Sequence, residues 1–362
     1  MTRALNRCSV SAMVSLNSLN DRPVIVIWEV TRRCALACRH CRAVAQPRRD
    51  PREFSGDEVE VVLDQVAEAN PSFFILTGGD PASRPDLAHI VRRASARGLR
   101  VAISPSATPR LLREDFRELR AAGVERMSLS LDGADEVAHD AFRGVRGTWQ
   151  WTQRALEMAR ESGMEFQINT TFSRTNFGEW DRFVETVRAM DPKMWSIFLL
   201  VPTGRATADE MLDAEQTETL FQRLADFQEM TGIPVKTTEG PHFRRVMAQR
   251  RKAGEEMPWR FAPTNDGRGF VFVSHCGDVQ PSGFLPITCG NLWTDNLLDV
   301  YRNSPVFREL RDSDRLGGKC GHCEYRKICG GSRSRAYSLT GNYMAEEPCC
   351  SYQPTRPEAA TL

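Results

Sequence analysis

The segment Ile25-Val-Ile-Trp-Glu-Val30 is apolar at nearly every position, and Cys34-Ala-Leu-Ala-Cys38-Arg-His-Cys41 follows it closely. An apolar run without alternation predicts a strand buried on both faces, as in a parallel sheet. Five more runs have this character: Phe73–Thr77, Arg100–Ser104, Arg126–Leu131, Glu165–Thr171 and Trp195–Val201. Amphipathic segments near 55–69, 85–97, 110–122, 148–162, 177–190 and 213–230 alternate with them. Gly98, Gly123 and Gly163 stand where helices should stop, and Ser55 with Glu58 has the form of a capping box. Right-handed crossovers would curl six such units into an α/β fold, a partial (β/α)6 TIM-like barrel. An open doubly wound sheet has the same periodicity. In both, the chemistry belongs on loops after the carboxyl ends of strands, and the three cysteines lie on the first of these.

The chain has 362 residues, 41% of them hydrophobic and 26% charged, with a net charge of +1. That balance carries no general electrostatic footprint for nucleic acid. No apolar run reaches the roughly 20 residues needed to cross a bilayer. Arg3, Arg7 and the weak apolar stretch from Cys8 to Val14 do not make a signal peptide, so residues 1–21 are expected to be a loose tail and the location cytoplasmic. Eleven cysteines form one tight group near the front and a second near the end, with none between Cys41 and Cys276. Disulfide scaffolds spread cysteines along short secreted chains; this grouping predicts two metal or iron–sulfur sites on two units. The expected boundaries are a core over 22–235, a linker over 236–265, and a small C-terminal iron–sulfur domain over 266–362.

Three thiolates at C-x3-C-x2-C spacing with no fourth ligand nearby suit a [4Fe–4S] cluster with one open iron better than zinc, which takes four ligands. On the first loop of a six-unit β/α chain, this spacing resembles the radical S-adenosylmethionine (radical SAM) superfamily over roughly residues 22–235. Thr77-Gly78-Gly79-Asp80-Pro81 after the second strand resembles the family's GGEP motif, with Asp for Glu. The resemblance implies that Cys34, Cys38 and Cys41 hold the cluster and that Gly78, Gly79 and Asp80 approach SAM. It further implies contacts from Ser104 and Ser106 after the third strand, Ser130 and Asp132 ending the fourth, and Asn169 ending the fifth. Arg143-Gly144 resembles the family's RG element, whose arginine pairs with the SAM carboxylate, and Leu200 would pack against adenine. His40 is expected to stack or to serve the backbone.

The C-terminal pattern Cys320-Gly-His-Cys323, then Cys329, then Cys349-Cys350 resembles SPASM and twitch extensions, which hold auxiliary [4Fe–4S] clusters. A zinc knuckle is the other reading of these cysteines. The ending ICGGSRSRAYSLTGNYMAEEPCCSYQP is similar to that of enzymes that trim haem and related tetrapyrroles. That alignment implies Cys320, Cys323, Cys329 and Cys350 as ligands of one auxiliary cluster, with Cys349 spare and Cys276 and Cys289 as plain thiols. The implied activity is reductive cleavage of SAM to a 5′-deoxyadenosyl radical, which takes hydrogen from a carboxylate-bearing small molecule, with decarboxylation to follow. Arg205, His242, Arg244 and Arg245 are candidates for lining a positively charged substrate pocket. An external electron donor such as flavodoxin or ferredoxin would be a partner. The alternatives are a peptide maturase, to which the short stretch before the first strand gives no fused recognition domain, and a non-enzymatic electron-transfer or scaffold protein.

Overall fold

The structure, a computed structural model, describes residues 18–251 and 263–355. Most of the expected tail, part of the expected linker and the last seven positions of the sequence therefore lie outside the described residues. One sheet organises the chain. Its strands are β1 (Ile25–Glu29), β2 (Phe73–Thr77), β3 (Val101–Ile103), β4 (Val124–Ser130), β5 (Glu165–Phe172), β6 (Trp195–Leu199), β7 (Val235–Thr238), β8 (Phe270–Val273), β9 (Asp278–Gln280) and β10 (Gly290–Asn291). They lie in the order β10-β9-β8-β1-β2-β3-β4-β5-β6-β7. Pairing from β8 through β1 to β7 is parallel throughout, and β9 and β10 add antiparallel strands at the β8 edge. This is the α/β, parallel-dominated architecture of the expected partial barrel.

Helices pack on one face of the sheet and side chains fill the other; β1 and β6 are buried along nearly their whole length, while β5 alternates buried and half-buried positions. The helices Glu58–Ala69, Leu87–Ala96, Phe116–Ala122, Thr148–Ser162, Trp180–Met190 and Ala214–Thr231 join the strands in one continuous core. Trp28 is wholly buried, with its ring edge-on to Phe54 and stacked on Phe74. Trp195 holds the other side, against Phe172, Trp180 and Phe227. Burying side chains of this size contributes about 1.5–3 kcal/mol each.

The sheet continues past the six strands legible in the sequence. β7 and the helix Phe243–Arg250 occupy the first half of the expected linker. β7 reads Val-Lys-Thr-Thr and is half exposed at the sheet edge, so it lacked the apolar signal. β8 reads Phe-Val-Phe-Val, falls in the stretch assigned to the small domain, and pairs with β1, so that Ile25 lies opposite Phe270. At Ser55 the expected capping box is one-sided. Glu58 reaches back to the Ser55 amide and hydroxyl, but the helix starts at Glu58 itself and its Ncap, Asp57, has no side-chain cap bond. The reciprocal box lies elsewhere, between Asp213 and Gln216.

Candidate active site and auxiliary metal centre

Cys34 and Cys38 are buried and Cys41 is half buried, and the three pack in one patch with Leu36, Val145 and Trp151. Their loop is held at four places by backbone. Cys34 N–H donates to Gln46 O at 2.8 Å. Ala37 and Arg39 N–H donate to Arg143 O and Phe142 O, both at 3.3 Å. Arg205 N–H donates to Cys41 O at 3.0 Å. Gly79 and Asp80 N–H donate to Thr31 O and Arg33 O at 2.7 and 2.8 Å.

The motif glycines make these contacts sterically possible. A Cβ on Gly79 would sit 2.5 Å from Arg32 O and 2.6 Å from Arg33 O. One on Gly144, whose φ is +72°, would sit 2.6 Å from Ala37 O. In this structure the close approach those glycines permit is to the cysteine loop's own backbone. A local motif does not tell which backbone such glycines meet.

The polar residues expected at strand ends are largely committed to one another. Asp80 accepts from Ala82 N–H at 3.1 Å, Ser106 N–H at 3.1 Å and the Thr108 hydroxyl at 2.9 Å. Burial pushes its carboxyl up to about 6 against the pull of those donors. Asp80 thus ties the loops after β2 and β3, and Thr108 was not anticipated. Ser106 donates to Gly79 O at 3.2 Å and stands 3.6 Å from Cys34 Sγ, which also receives the Leu36 N–H at 3.4 Å. Asp132 takes Arg143 Nη1 at 3.0 Å and Thr171 N–H at 2.7 Å. Burial alone would raise the Asp132 carboxyl; the positive groups around it outweigh that and hold it down. Arg143 is the buried cation beside Cys34 and Cys38, although burial pushes the Cys38 thiol up to about 11. Ser104 is half buried and donates its N–H to Leu76 O. Ser130 lies opposite Asn169 in the β4–β5 ladder, and the Asn169 side chain accepts from Gln167. Leu200 packs with Ala206, Met211 and Cys349, and its carbonyl accepts from Arg335.

His40 is half buried, and its ring lies 4.7 Å from that of Phe142 at an interplanar angle of 40°. Its Nδ1 finds no partner among the described residues, and burial holds the imidazole down to about 4. Arg205, on the loop after β6, shows the same lack at Nε and Nη2.

At the end of β1, Glu29 is buried and accepts from Arg42 at 3.0 Å and from Arg32 at 3.2 Å, and pairs with His275 at 3.0 Å. Burial would raise its carboxyl, but those cations hold it down to about 2. His275 also faces Asp50 at 3.3 Å, and Arg42 lies over the Phe272 ring. This network pins the cysteine loop to the strand pair β1–β8. A glutamate inside an apolar run was the available signal.

Cys320, Cys323, Cys329 and Cys350 line a single cavity with an empty volume of about 400 Å³. Gly331 N–H donates to Cys329 Sγ at 3.4 Å and Glu347 N–H to Cys320 Sγ at 3.3 Å. Cys349 points away, to Leu212 O at 3.3 Å. Cys289 is directed to Ile287 O, and Cys276 lies by Asp50 and His275. Both donor sets fit the groups that the chemistry calls for: three soft thiols beside a buried cation in one case, four thiols with N–H donors on sulfur in the other.

The tail is fastened to the barrel by buried charge. Arg335 and Glu347 pair at 2.7 Å, with each side chain about 1% exposed, and Arg335 also donates to Leu200 O and Glu239 O. Arg244 is likewise spent on carbonyls, those of Ile328 and Thr264.

A family model described as Radical SAM superfamily matches residues 28–187. The chain is 41% identical to an AdoMet-dependent heme synthase of Nitratidesulfovibrio vulgaris, over 92% of this chain and 93% of that one. It is 38% identical to an AdoMet-dependent heme synthase of Methanosarcina barkeri, over 93% and 99%. The fold matches SuiB of Streptococcus suis bound to its precursor peptide SuiA, with a TM-score of 0.71 at 18% identity over 93% and 78%. Identity at this level across almost the whole of both chains, together with a cysteine loop built as the family requires, shows that the chain belongs to the radical SAM superfamily, whose members use a [4Fe–4S] cluster and S-adenosylmethionine.

Proposed function

We propose that this radical SAM enzyme acts on the propionate side chain of a tetrapyrrole and removes its carboxylate as carbon dioxide, leaving a vinyl group. When bound at Cys34, Cys38 and Cys41, the cluster and SAM supply a 5′-deoxyadenosyl radical. The chain's own residues have three tasks. Asp132 and Arg143 keep a compensated positive charge beside the thiols. The glycine-backed loops hold the cysteines in register. Arg205 offers a guanidinium at the barrel mouth, and this is the observation that carries the substrate class. Its backbone is fixed to Cys41, while Nε and Nη2 are out of water and without a partner among the described residues. A buried donor in that state is costly unless a ligand satisfies it, and a carboxylate matches a guanidinium fork.

The names of the relatives agree with a tetrapyrrole. Loss of one hydrogen atom and then carbon dioxide from a propionate leaves a vinyl group and one electron, so turnover also needs an acceptor. The four-thiol cavity has the donors to hold one. Oxygen sensitivity of exposed iron favours a cytoplasmic setting with a flavodoxin or ferredoxin as reductant. The likeness to a peptide-bound structure is at 18% identity and carries fold alone, so the maturase reading gains nothing from it.

The test is anaerobic turnover of a propionate porphyrin against its methyl ester, with reductant and SAM, read by carbon dioxide release and mass loss. The acid should react and the ester should not, and Arg205→Met should raise KM with SAM binding intact. Equal turnover of acid and ester, or an unchanged KM in the variant, would sink the proposal.

A further inference from the structure

His242 lies just beyond β7, in a turn whose direction is fixed from outside. Glu239, with φ of +57°, carries a carboxylate held by the hydroxyls of Ser282, Ser332 and Ser334, and its carbonyl accepts from Arg335. Thr237 closes the turn onto Gly240 O at 2.8 Å. His242 then opens the helix Phe243–Arg250, and its ring stands edge-on to Phe221 at 4.6 Å. The residue is 1% exposed. Neither Nδ1 nor Nε2 has a hydrogen-bond partner among the described residues.

A neutral imidazole carries one N–H donor and one acceptor, and buried polar groups of native proteins are nearly always paired. The ring lines the cavity that holds Cys320, Cys323, Cys329 and Cys350. One helical turn later Arg245 lines the same cavity, and its Nε is also without a partner although its Nη atoms are taken by Glu218 and Gln249. Positions three apart share a helix face. This wall therefore places two side chains with unpartnered nitrogens on a cavity lined by four thiols, two of which, Cys329 and Cys320, already receive backbone N–H donors.

We propose that His242 donates an N–H···S hydrogen bond to the auxiliary four-iron cluster and so sets its reduction potential. This rests on the reading that the four cysteines hold such a cluster. Four thiolates give each of four irons its protein ligand, so no iron is left for the imidazole and its donor is what remains to be used. Hydrogen bonds to sulfur favour the reduced, more negative cluster and raise the potential. His242 is a positioning residue in this role; it reaches substrate only through the cluster.

The experiment uses full-length protein with Cys34, Cys38 and Cys41 replaced by Ala, so that the auxiliary cluster is alone. Iron content is measured first; a chain with no iron there would show that the underlying reading has failed. With about four irons present, redox titration followed by electron paramagnetic resonance compares His242, His242→Gln and His242→Phe. Phe should lower the reduced-to-oxidised ratio at fixed potential about tenfold, equivalent to about 59 mV for one electron, and Gln, which keeps an N–H, should restore most of it. Equal potentials in all three would overturn the proposal. If His242→Phe fails to fold, pulsed measurement on histidine-labelled protein decides. A weak nitrogen coupling supports the hydrogen bond. A coupling of the size given by iron-bound imidazole, or none at all, overturns it.

Discussion

Arg143 shows how a single side chain serves two masters. The family resemblance pointed to a SAM carboxylate, and the structure adds Asp132 at 3.0 Å, with both side chains buried. Arg143→Ala should therefore cost about 3–5 kcal/mol in stability, because it leaves Asp132 as a lone buried charge. Denaturant unfolding without cofactors measures this, and a loss under 1 kcal/mol would show that the ion pair is dispensable. Glu29 offers a pH signature. Its folded-state value, about 2, lies below the usual 4.5. The stability it contributes is thus present above pH 4.5 and lost as pH falls through about 2. Unfolding free energy should decline across that window, with a slope smaller by up to one proton in Glu29→Gln. An identical slope in the variant would remove Glu29 from the account.

At the scale of elements, the cysteine loop is gripped by the loops after β2, after β6 and at the end of the helix Glu136–Arg143. Gly79→Ala drives a Cβ into two carbonyl oxygens and should displace this loop. We expect it to lose the N-terminal cluster, about four irons per chain, while the C-terminal site keeps its iron. Unaltered iron would mean the backbone accommodates the methyl. In the tail, Cys350→Ala should remove the C-terminal iron and Cys349→Ala should not, since Cys349 faces Leu212. The reverse outcome would shift the ligand by one position. β1 and β6 were legible because burial on both faces leaves nearly uninterrupted apolar runs, whereas β5 alternates buried and half-buried positions and was legible from its place in the β/α rhythm. β7 was not, as an edge strand needs no such run, and the pairing of β8 with β1 is a long-range fact that no local pattern carries. The site was legible in its cysteines, whose spacing is local. What the strand-end residues touch was not: Asp80 with Thr108, and Leu200 with Arg335, meet only when distant loops converge.

At the scale of the whole molecule, barrel and tail are one body. β8 is hydrogen-bonded to β1, and Arg335 reaches two barrel carbonyls from the tail. Heat or denaturant should unfold both in one transition, so Trp fluorescence and far-ultraviolet dichroism should coincide. Two separated transitions would show independent units. The placement of β8 also bears on how the chain is made. Until Phe270–Val273 has emerged from the ribosome, β1 presents an unpaired rim of amides and carbonyls, open to mispairing with any strand nearby. Synthesis runs from the first cysteine group to the last, but the loop bearing the first group cannot gain its Glu29–His275 anchor before His275 exists. We therefore expect loading of the proposed cluster at Cys34, Cys38 and Cys41 to reach its final, anchored form late, timed by a strand at the far end of the chain.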